Sequence, residues 1–185
     1  SEIATLTGWP AILSRFSRVL IGVNRRVDSD TLFRTHCDNI PVDLNRELTP
    51  EERQYRIRKF WRPYHEAARD LGERHRPCIV FAVHSFTPLY EGQPRHLECG
   101  VLFDEPEREA AVLSSSPHDS NFDTRLNEPW SGLDGIMYGP RSTAGDTGAV
   151  VLEIEVRQDL IINADYRRRI ACDLIKGLRR LLRSL

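Results

Sequence analysis

The stretch Pro77-Cys78-Ile79-Val80-Phe81-Ala82-Val83-His84-Ser85-Phe86-Thr87-Pro88 decides the fold. Its apolar run, rich in β-branched and aromatic residues, predicts a strand buried on both faces of a sheet. The run stops on His84-Ser85, and Pro88 closes it. In an open α/β sheet, ligands bind in the crevice at the carboxyl ends of the strands. An imidazole at that end is placed to bind a metal or move a proton. A histidine that merely caps the strand with a hydrogen bond is the plainer alternative, and the rest of the chain has to decide between the two.

Outward from this strand, residues 99–103 read as another, and residues 149–157 as a third whose second half alternates. If Leu152, Ile154 and Val156 face one side there, Glu153, Glu155 and Arg157 share the other. Residues 11–13 and 19–23 read as two short strands, the second ending on Asn24-Arg25-Arg26. Thr49, Pro50 and Glu52 form a helix start, and Ile57, Phe60, Trp61, Tyr64, Ala68 and Leu71 recur at helical spacing behind it. Pro63 is expected to kink that helix, and His65 reads as a partly exposed helix residue. A short helix is expected from Pro106 to about Leu113. Asn163 caps a final helix with Ile170, Leu174, Leu178 and Leu181 on one face and a solvated arginine face opposite. Residues 27–48 read as a long functional loop, and residues 114–148 as a binding lid or a partly disordered segment.

With 185 residues and no visible linker, the chain reads as a single domain over residues 1–185. A net charge of −1 provides no field for nucleic acid or an anionic membrane. No apolar run approaches the roughly 20 residues that span a bilayer, and no signal peptide is evident. The four cysteines, Cys37, Cys78, Cys99 and Cys172, are scattered without a CxxC pair. Cys78, Cys99 and Cys172 suit small buried hydrophobes, and in a cytoplasmic protein this spacing argues against a disulfide framework or a cysteine-based zinc site. Oligomeric state is not set by the sequence.

Three polar constellations stand at strand ends or in the loops behind them: Val42-Asp43-Leu44-Asn45-Arg46, Val83-His84-Ser85, and Ile154-Glu155-Val156-Arg157-Gln158-Asp159. Asn24-Arg25-Arg26 is a fourth. A carboxylate half-buried in a strand must be paired or put to use, because burying a lone charge is costly. Arginine beside asparagine suits bidentate recognition of a carboxylate. An imidazole, a glutamate and a carboxylate clamp are the parts of a metal-assisted amide hydrolase.

These segments also carry a resemblance. Val42-Asp43-Leu44-Asn45-Arg46 resembles the Asp-x-Asn-Arg signature of the zinc carboxypeptidase superfamily. Val83-His84-Ser85 resembles its strand-end His-Ser, and Ile154-Glu155-Val156-Arg157 its Phe-Glu-Leu-Arg segment. Within that superfamily the chain is similar to the N-formylglutamate amidohydrolase family. Residues 17–25 resemble that family's Ser-Arg-Leu-Val-Ile-Asp-Cys-Asn-Arg. Arg62-Pro63-Tyr64-His65, His84-Ser85-Phe86-Thr87-Pro88, Gly92-Gln93-Pro94-Arg95, residues 100–104, residues 127–132 and residues 153–161 follow in the family's order.

The resemblance implies an α/β fold: a three-layer α/β/α domain around a central mixed, mostly parallel sheet of zinc-exopeptidase type. It also implies a zinc-dependent amidohydrolase acting on a small N-acyl amino acid such as N-formylglutamate, with no nucleic-acid or membrane partner. His84 would be a zinc ligand and Glu155 the general base and acid. Arg25, Asn45, Arg46 and Arg157 would contact substrate. Glu153 is a rival to Glu155, since both share a face, and the spacing to Arg157 favours Glu155. Tyr138 and Arg141 match a family region only loosely. The other zinc ligands are expected upstream of residue 1, because Ser1 to Trp9 contain no histidine; His36 and Asp38 are the weaker local substitutes. Gly22-Val23 departs from the family's Asp-Cys. Two further readings stay open: a catalytically silent carboxylate-binding domain, and amide cleavage on larger peptides or peptidoglycan.

Overall fold

A computed structural model describes residues 2–105 and 107–185, so Pro106, at the start of one predicted helix, lies outside the described residues. In chain order the elements are α1 (Glu2–Thr7), β1 (His36–Cys37), β2 (Ile40–Pro41), α2 (Asp43–Arg46), α3 (Pro50–Arg56), a π-helical stretch (Ile57–Trp61) and α4 (Arg62–His75). Then come β3 (Ile79–Phe86), β4 (Leu89–Tyr90), β5 (Gln93–Pro94), β6 (Cys99–Leu102), α5 (Glu107–Asp119) and β7 (Thr124–Leu126). A 3₁₀ turn (Gly132–Asp134), α6 (Tyr138–Ala144), β8 (Val150–Arg157), α7 (Gln158–Ile161) and α8 (Ala164–Leu182) complete the chain.

The central sheet has the order β3-β8-β6-β7. β3 pairs with β8 and β6 with β7 in parallel, while β6 runs antiparallel to β8. The result is the expected mixed, mostly parallel sheet with helices on both faces. β8 shows how sequence alternation builds those layers. Leu152, Ile154 and Val156 enter one core with Leu113 of α5 and Leu174, Leu178 and Leu181 of α8. Val151 points the other way, into a second core with Leu102, Met137 and Ala144. Glu153 and Glu155 share Val151's face by the two-residue period of a strand. Among the described residues, no helix is long and apolar enough to cross a membrane.

Both predicted helix starts form. Thr49 Oγ1 accepts from the Glu52 amide at 3.2 Å, and Asn163 Oδ1 accepts from the Tyr166 amide at 2.9 Å. The disturbance expected at Pro63 takes the form of the π-helical stretch immediately before α4, a common response where the i→i−4 ladder is interrupted.

Two expectations are corrected. Residues 114–148 form regular elements where a lid or a partly disordered segment is expected: α5 runs on to Asp119 through Pro117, and β7 and α6 follow. Pro117 leaves the Leu113 carbonyl without its helical donor. α8 packs closely there through Gly177, where a Cβ would lie 2.7 Å from that oxygen.

The second correction concerns residues 11–23, which form no strand. The carbonyls a strand would offer to a neighbour are taken by side-chain donors. Asn45 Nδ2 donates to Val19 O (2.7 Å), Arg56 Nη1 to Leu20 O (3.3 Å), His65 Nε2 to Val23 O (2.9 Å) and Trp61 Nε1 to Arg25 O (2.9 Å). Three of those donors stand on the long helix of residues 50–75, and Ile21, Leu32 and Phe33 pack with its Ile57 in a satellite core. The segment is therefore hung along a helix with its backbone satisfied, which leaves the Asn24 and Arg25 side chains to point elsewhere.

Candidate active site

The parallel register of β3 and β8 sets His84 opposite Glu155 and Ala82 opposite Glu153. His84 Nε2 lies 3.7 Å from Glu153 Oε2. The two glutamates are almost equally buried, at 2% and 6% exposed, yet they are supported differently. Glu153 Oε2 accepts from Asn24 Nδ2 at 2.8 Å, and Asn24 Oδ1 accepts from the Gly139 amide at 2.7 Å. That amide stands in the first turn of α6, so the helix start fixes the asparagine and the asparagine fixes the carboxylate.

Glu155 has no such anchor. Its Oε2 is buried and, among the described residues, has no hydrogen-bond partner. Burial first, and the Glu153 charge second, push its pKa up to about 8, against the pull of Arg95 and Arg25. A carboxyl whose charged form is disfavoured thus stands beside an anchored neighbour.

Cations flank this pair. The Arg25 guanidinium donates to Asn24 O at 2.7 Å, Ile136 O at 3.3 Å and Thr31 Oγ1 at 3.1 Å. Arg18 and Arg34 lie close enough to be felt. Burial, then the charges of Arg34 and Arg25, bring Arg18 down to about 10. On the other flank, the Arg95 guanidinium carbon sits 4.4 Å from the ring centroids of both Tyr90 and Trp130, and 5.9 Å from that of Phe86.

Trp130 is brought there by the loop after β7. Asn127 Oδ1 accepts from the Phe103 and Gly132 amides. Gly100, opposite Glu155 in register, lets the Glu128 carbonyl come where a Cβ would be 1.9 Å away.

A family model for N-formylglutamate amidohydrolase matches residues 1–162. The chain belongs to the N-formylglutamate amidohydrolase family. It is similar to the crystal structure of a gene product from Agrobacterium tumefaciens, with 29% identity and a TM-score of 0.82 over 92% of this chain and 69% of that one. It shares its fold with the N-formylglutamate amidohydrolase from Ralstonia eutropha JMP134, with 18% identity and a TM-score of 0.65 over 91% of this chain and 75% of that one. No curated protein sequence matches the chain.

Of the residues expected to serve this family member's chemistry, His84, Glu155 and Arg25 come together. Asn45 and Arg46 are placed otherwise. Asn45 is 3% exposed, and its amide donates to the Val19 and Arg34 carbonyls while its oxygen accepts from Arg56. Arg46 is an exposed side chain paired with Asp43 at 2.9 Å. Neither has a hydrogen bond or ion pair to the carboxylate pair. Arg157 is also committed: it donates to the carbonyls of Arg95 and His96 and pairs with Asp159, which makes it a positioning residue for Arg95.

Asn24 and Arg95 were missed as site residues. Asn24 was legible beside Arg25, and Arg95 at the end of Gly92-Gln93-Pro94-Arg95. Tyr138 lies by the site, stacked on Trp61 at 6.0 Å and near His65 at 5.3 Å, whereas Arg141 pairs with Asp104. His65 is itself buried, not partly exposed.

For a metal, His84 and the neighbouring carboxylates are donors of the right kind for zinc, and the orphaned Glu155 oxygen is in keeping with an added group. The number falls short. Among the described residues, no three His, Cys, Asp or Glu side chains are grouped to hold an ion. Asp38 instead accepts from the Glu91 amide at 2.7 Å, and His36 is bonded to Thr35.

Proposed function

We propose that this family member cleaves the amide of a small N-acyl amino acid, N-formylglutamate being the family's namesake, with Glu155 as the proton-handling group. One observation carries the reading: a buried carboxyl oxygen without a partner, on a group with a pKa near 8, at the carboxyl end of a strand beside His84. A general base works best when its pKa lies near the operating pH. Glu155 would take a proton from the attacking water and deliver it to the leaving amine. Glu153 would be held in place by the Asn24 amide, and Arg25 would contribute positive charge to the substrate's carboxylate or carbonyl end.

Zinc dependence belongs to the proposal, with His84 as one ligand. A bound zinc ion would supply Lewis-acid polarisation and a more acidic water.

Formate release from N-formylglutamate, measured before and after chelation and again with zinc added, tests the reading. Glu155→Gln should lower turnover by about a thousandfold, within the range that general acid–base catalysis contributes. Wild-type turnover in Glu155→Gln would move the role to Glu153 or elsewhere. Full activity with no bound metal would remove zinc. No formate at all, with carboxylates still raising the melting temperature, would favour a silent carboxylate-binding domain.

A further inference from the structure

A half-buried arginine usually repays its lost hydration with a carboxylate or a set of carbonyls. Arg95 does not. Its backbone amide donates to Pro88 O and its carbonyl accepts from Arg157, yet among the described residues its guanidinium donates to nothing. It is held instead by aromatic rings. Tyr90 and Trp130, set edge to face with centroids 5.3 Å apart, each lie 4.4 Å from the guanidinium carbon, contacts that seat the group and leave its N–H donors unused. The surrounding construction serves this placement. β4 and β5 pair Tyr90 with Gln93 just ahead of Arg95, Arg157 holds the carbonyls of residues 95 and 96, and Asn127 ties down the loop that carries Trp130.

The location is also specific. Phe86 lies two residues beyond His84 and on the same face of β3, so Arg95 stands past the carboxyl end of that strand on the side of the catalytic carboxyls. Its charge is felt at Glu155. Arg25 flanks the same pair and is tied to Asn24, whose amide holds Glu153. Much of Arg25's donor capacity is spent on Asn24, Ile136 and Thr31. The site thus has one cation bound into its wall and another presented with an unused planar fork.

We infer that Arg95, seated against the Tyr90 and Trp130 rings, is the receptor for the side-chain carboxylate of the substrate and selects N-acyl derivatives of acidic amino acids over neutral ones. The inference rests on the amide-hydrolase reading for the word substrate, but the receptor itself is a binding property. An N-acyl acidic amino acid carries its α-carboxylate close to the scissile amide and its second carboxylate farther out. Arg25, next to the residue that anchors Glu153, suits the near group; Arg95, beyond the strand end, suits the far one. A planar guanidinium with its donors unused is matched to bidentate carboxylate recognition.

The test pairs calorimetric binding with kcat/KM for N-formyl-L-glutamate, N-formyl-L-glutamine, which lacks only the side-chain charge, and N-formyl-L-isoglutamine, which lacks only the α-charge. Wild type should favour glutamate over glutamine by about tenfold to a hundredfold, as expected for a lost charge-assisted pair. Arg95→Met should bring that ratio to near one while keeping the preference over isoglutamine. Arg95→Lys, which preserves charge and packing, should retain part of it, and Trp130→Leu should raise KM for glutamate more than it lowers kcat.

Equal losses on all ligands in Arg95→Met would make Arg95 a charge balance for Glu155 and overturn the inference. So would loss of the isoglutamine discrimination alone, or wild-type binding that ignores the side-chain charge. Hydrolysis without side-chain selectivity would sink the receptor and leave the hydrolase standing. An Arg95-dependent binding preference without hydrolysis would do the reverse.

Discussion

In Asn24-Arg25 the asparagine amide donates to the buried Glu153 carboxylate and the arginine stands against the same acidic pair. In Asn45-Arg46 the asparagine amide donates to two backbone carbonyls and its oxygen receives a buried arginine, while Arg46 lies in solvent. The dipeptide is the same, and the use is opposite. A primary amide is equally suited to orient a carboxylate and to staple irregular backbone. What decides is the partner that the fold brings to it. Asn45 is a staple that helps suspend residues 19–25 from the helix, and that suspension delivers Asn24 and Arg25 to β8. The two pairs are therefore coupled, one holding the segment on which the other acts.

Replacing each asparagine by alanine should separate the roles, with the largest effects expected of any test of this comparison. Asn24→Ala removes the only side-chain donor to Glu153 among the described residues. kcat/KM should fall by about a hundredfold, the size of losing one well-placed charged hydrogen bond near the reaction, with a small change in melting temperature. Asn45→Ala leaves two carbonyls and the 4%-exposed Arg56 short of partners. Unfolding measurements should show a loss of about 3 kcal/mol, since each unsatisfied buried group costs on the order of 1–3 kcal/mol. Activity per folded molecule should fall far less than in Asn24→Ala, because Arg56, Trp61 and His65 still hold the segment. A stable Asn45→Ala protein that loses turnover would reverse the assignment.

The shared support offers a second test, through pH. His65 donates to Val23 O from a buried position, and burial lowers its pKa below the usual imidazole value. The unfolded chain therefore takes up a proton near pH 6.5 that the folded chain resists. His65 contributes stability above that pH, and the contribution fades as the pH falls through it. The slope from this one site is at most about 1.4 kcal/mol per pH unit. Denaturant unfolding between pH 7.5 and 5 should show a weaker decline in His65→Gln than in wild type. An unchanged pH dependence in His65→Gln would remove His65 from this role.

Much of the scaffold was legible because period and capping chemistry are local. β8 announced its two faces through alternation, and α3 and α8 announced their starts through Thr49 and Asn163. His84 near the end of β3, opposite Glu155, was legible for the same reason. What stayed hidden depended on contacts between distant segments. Residues 19–23 have strand composition, but their carbonyls are claimed by side chains from Asn45, Arg56 and the helix beyond, and no local pattern shows that. Residues 114–148 looked like a lid because serine, glycine and proline usually mark loops. The Leu113 carbonyl, left without a helical donor by Pro117, instead meets Gly177 where α5 and α8 cross closely. That Asn24 and not Asn45 meets Glu153 is hidden for the same reason, since proximity to Glu153 is a property of the fold and not of the dipeptide.

Arg46 should give the smallest effect, and its smallness is informative. It is an exposed side chain whose ion pair with Asp43 spans three residues of a short helix, with both partners well solvated. Pairs of that kind contribute between about zero and 1 kcal/mol. Arg46→Met should leave melting temperature and kcat/KM within error of wild type, while Arg25→Met lowers kcat/KM by tenfold or more, about 1.4 kcal/mol or above. If Arg46→Met instead raises KM for N-formylglutamate without changing stability, the helix of residues 43–46 must swing inward when substrate binds. The staple formed by Asn45 would then have to open during the catalytic cycle, and the contrast between the two pairs would describe the free protein alone.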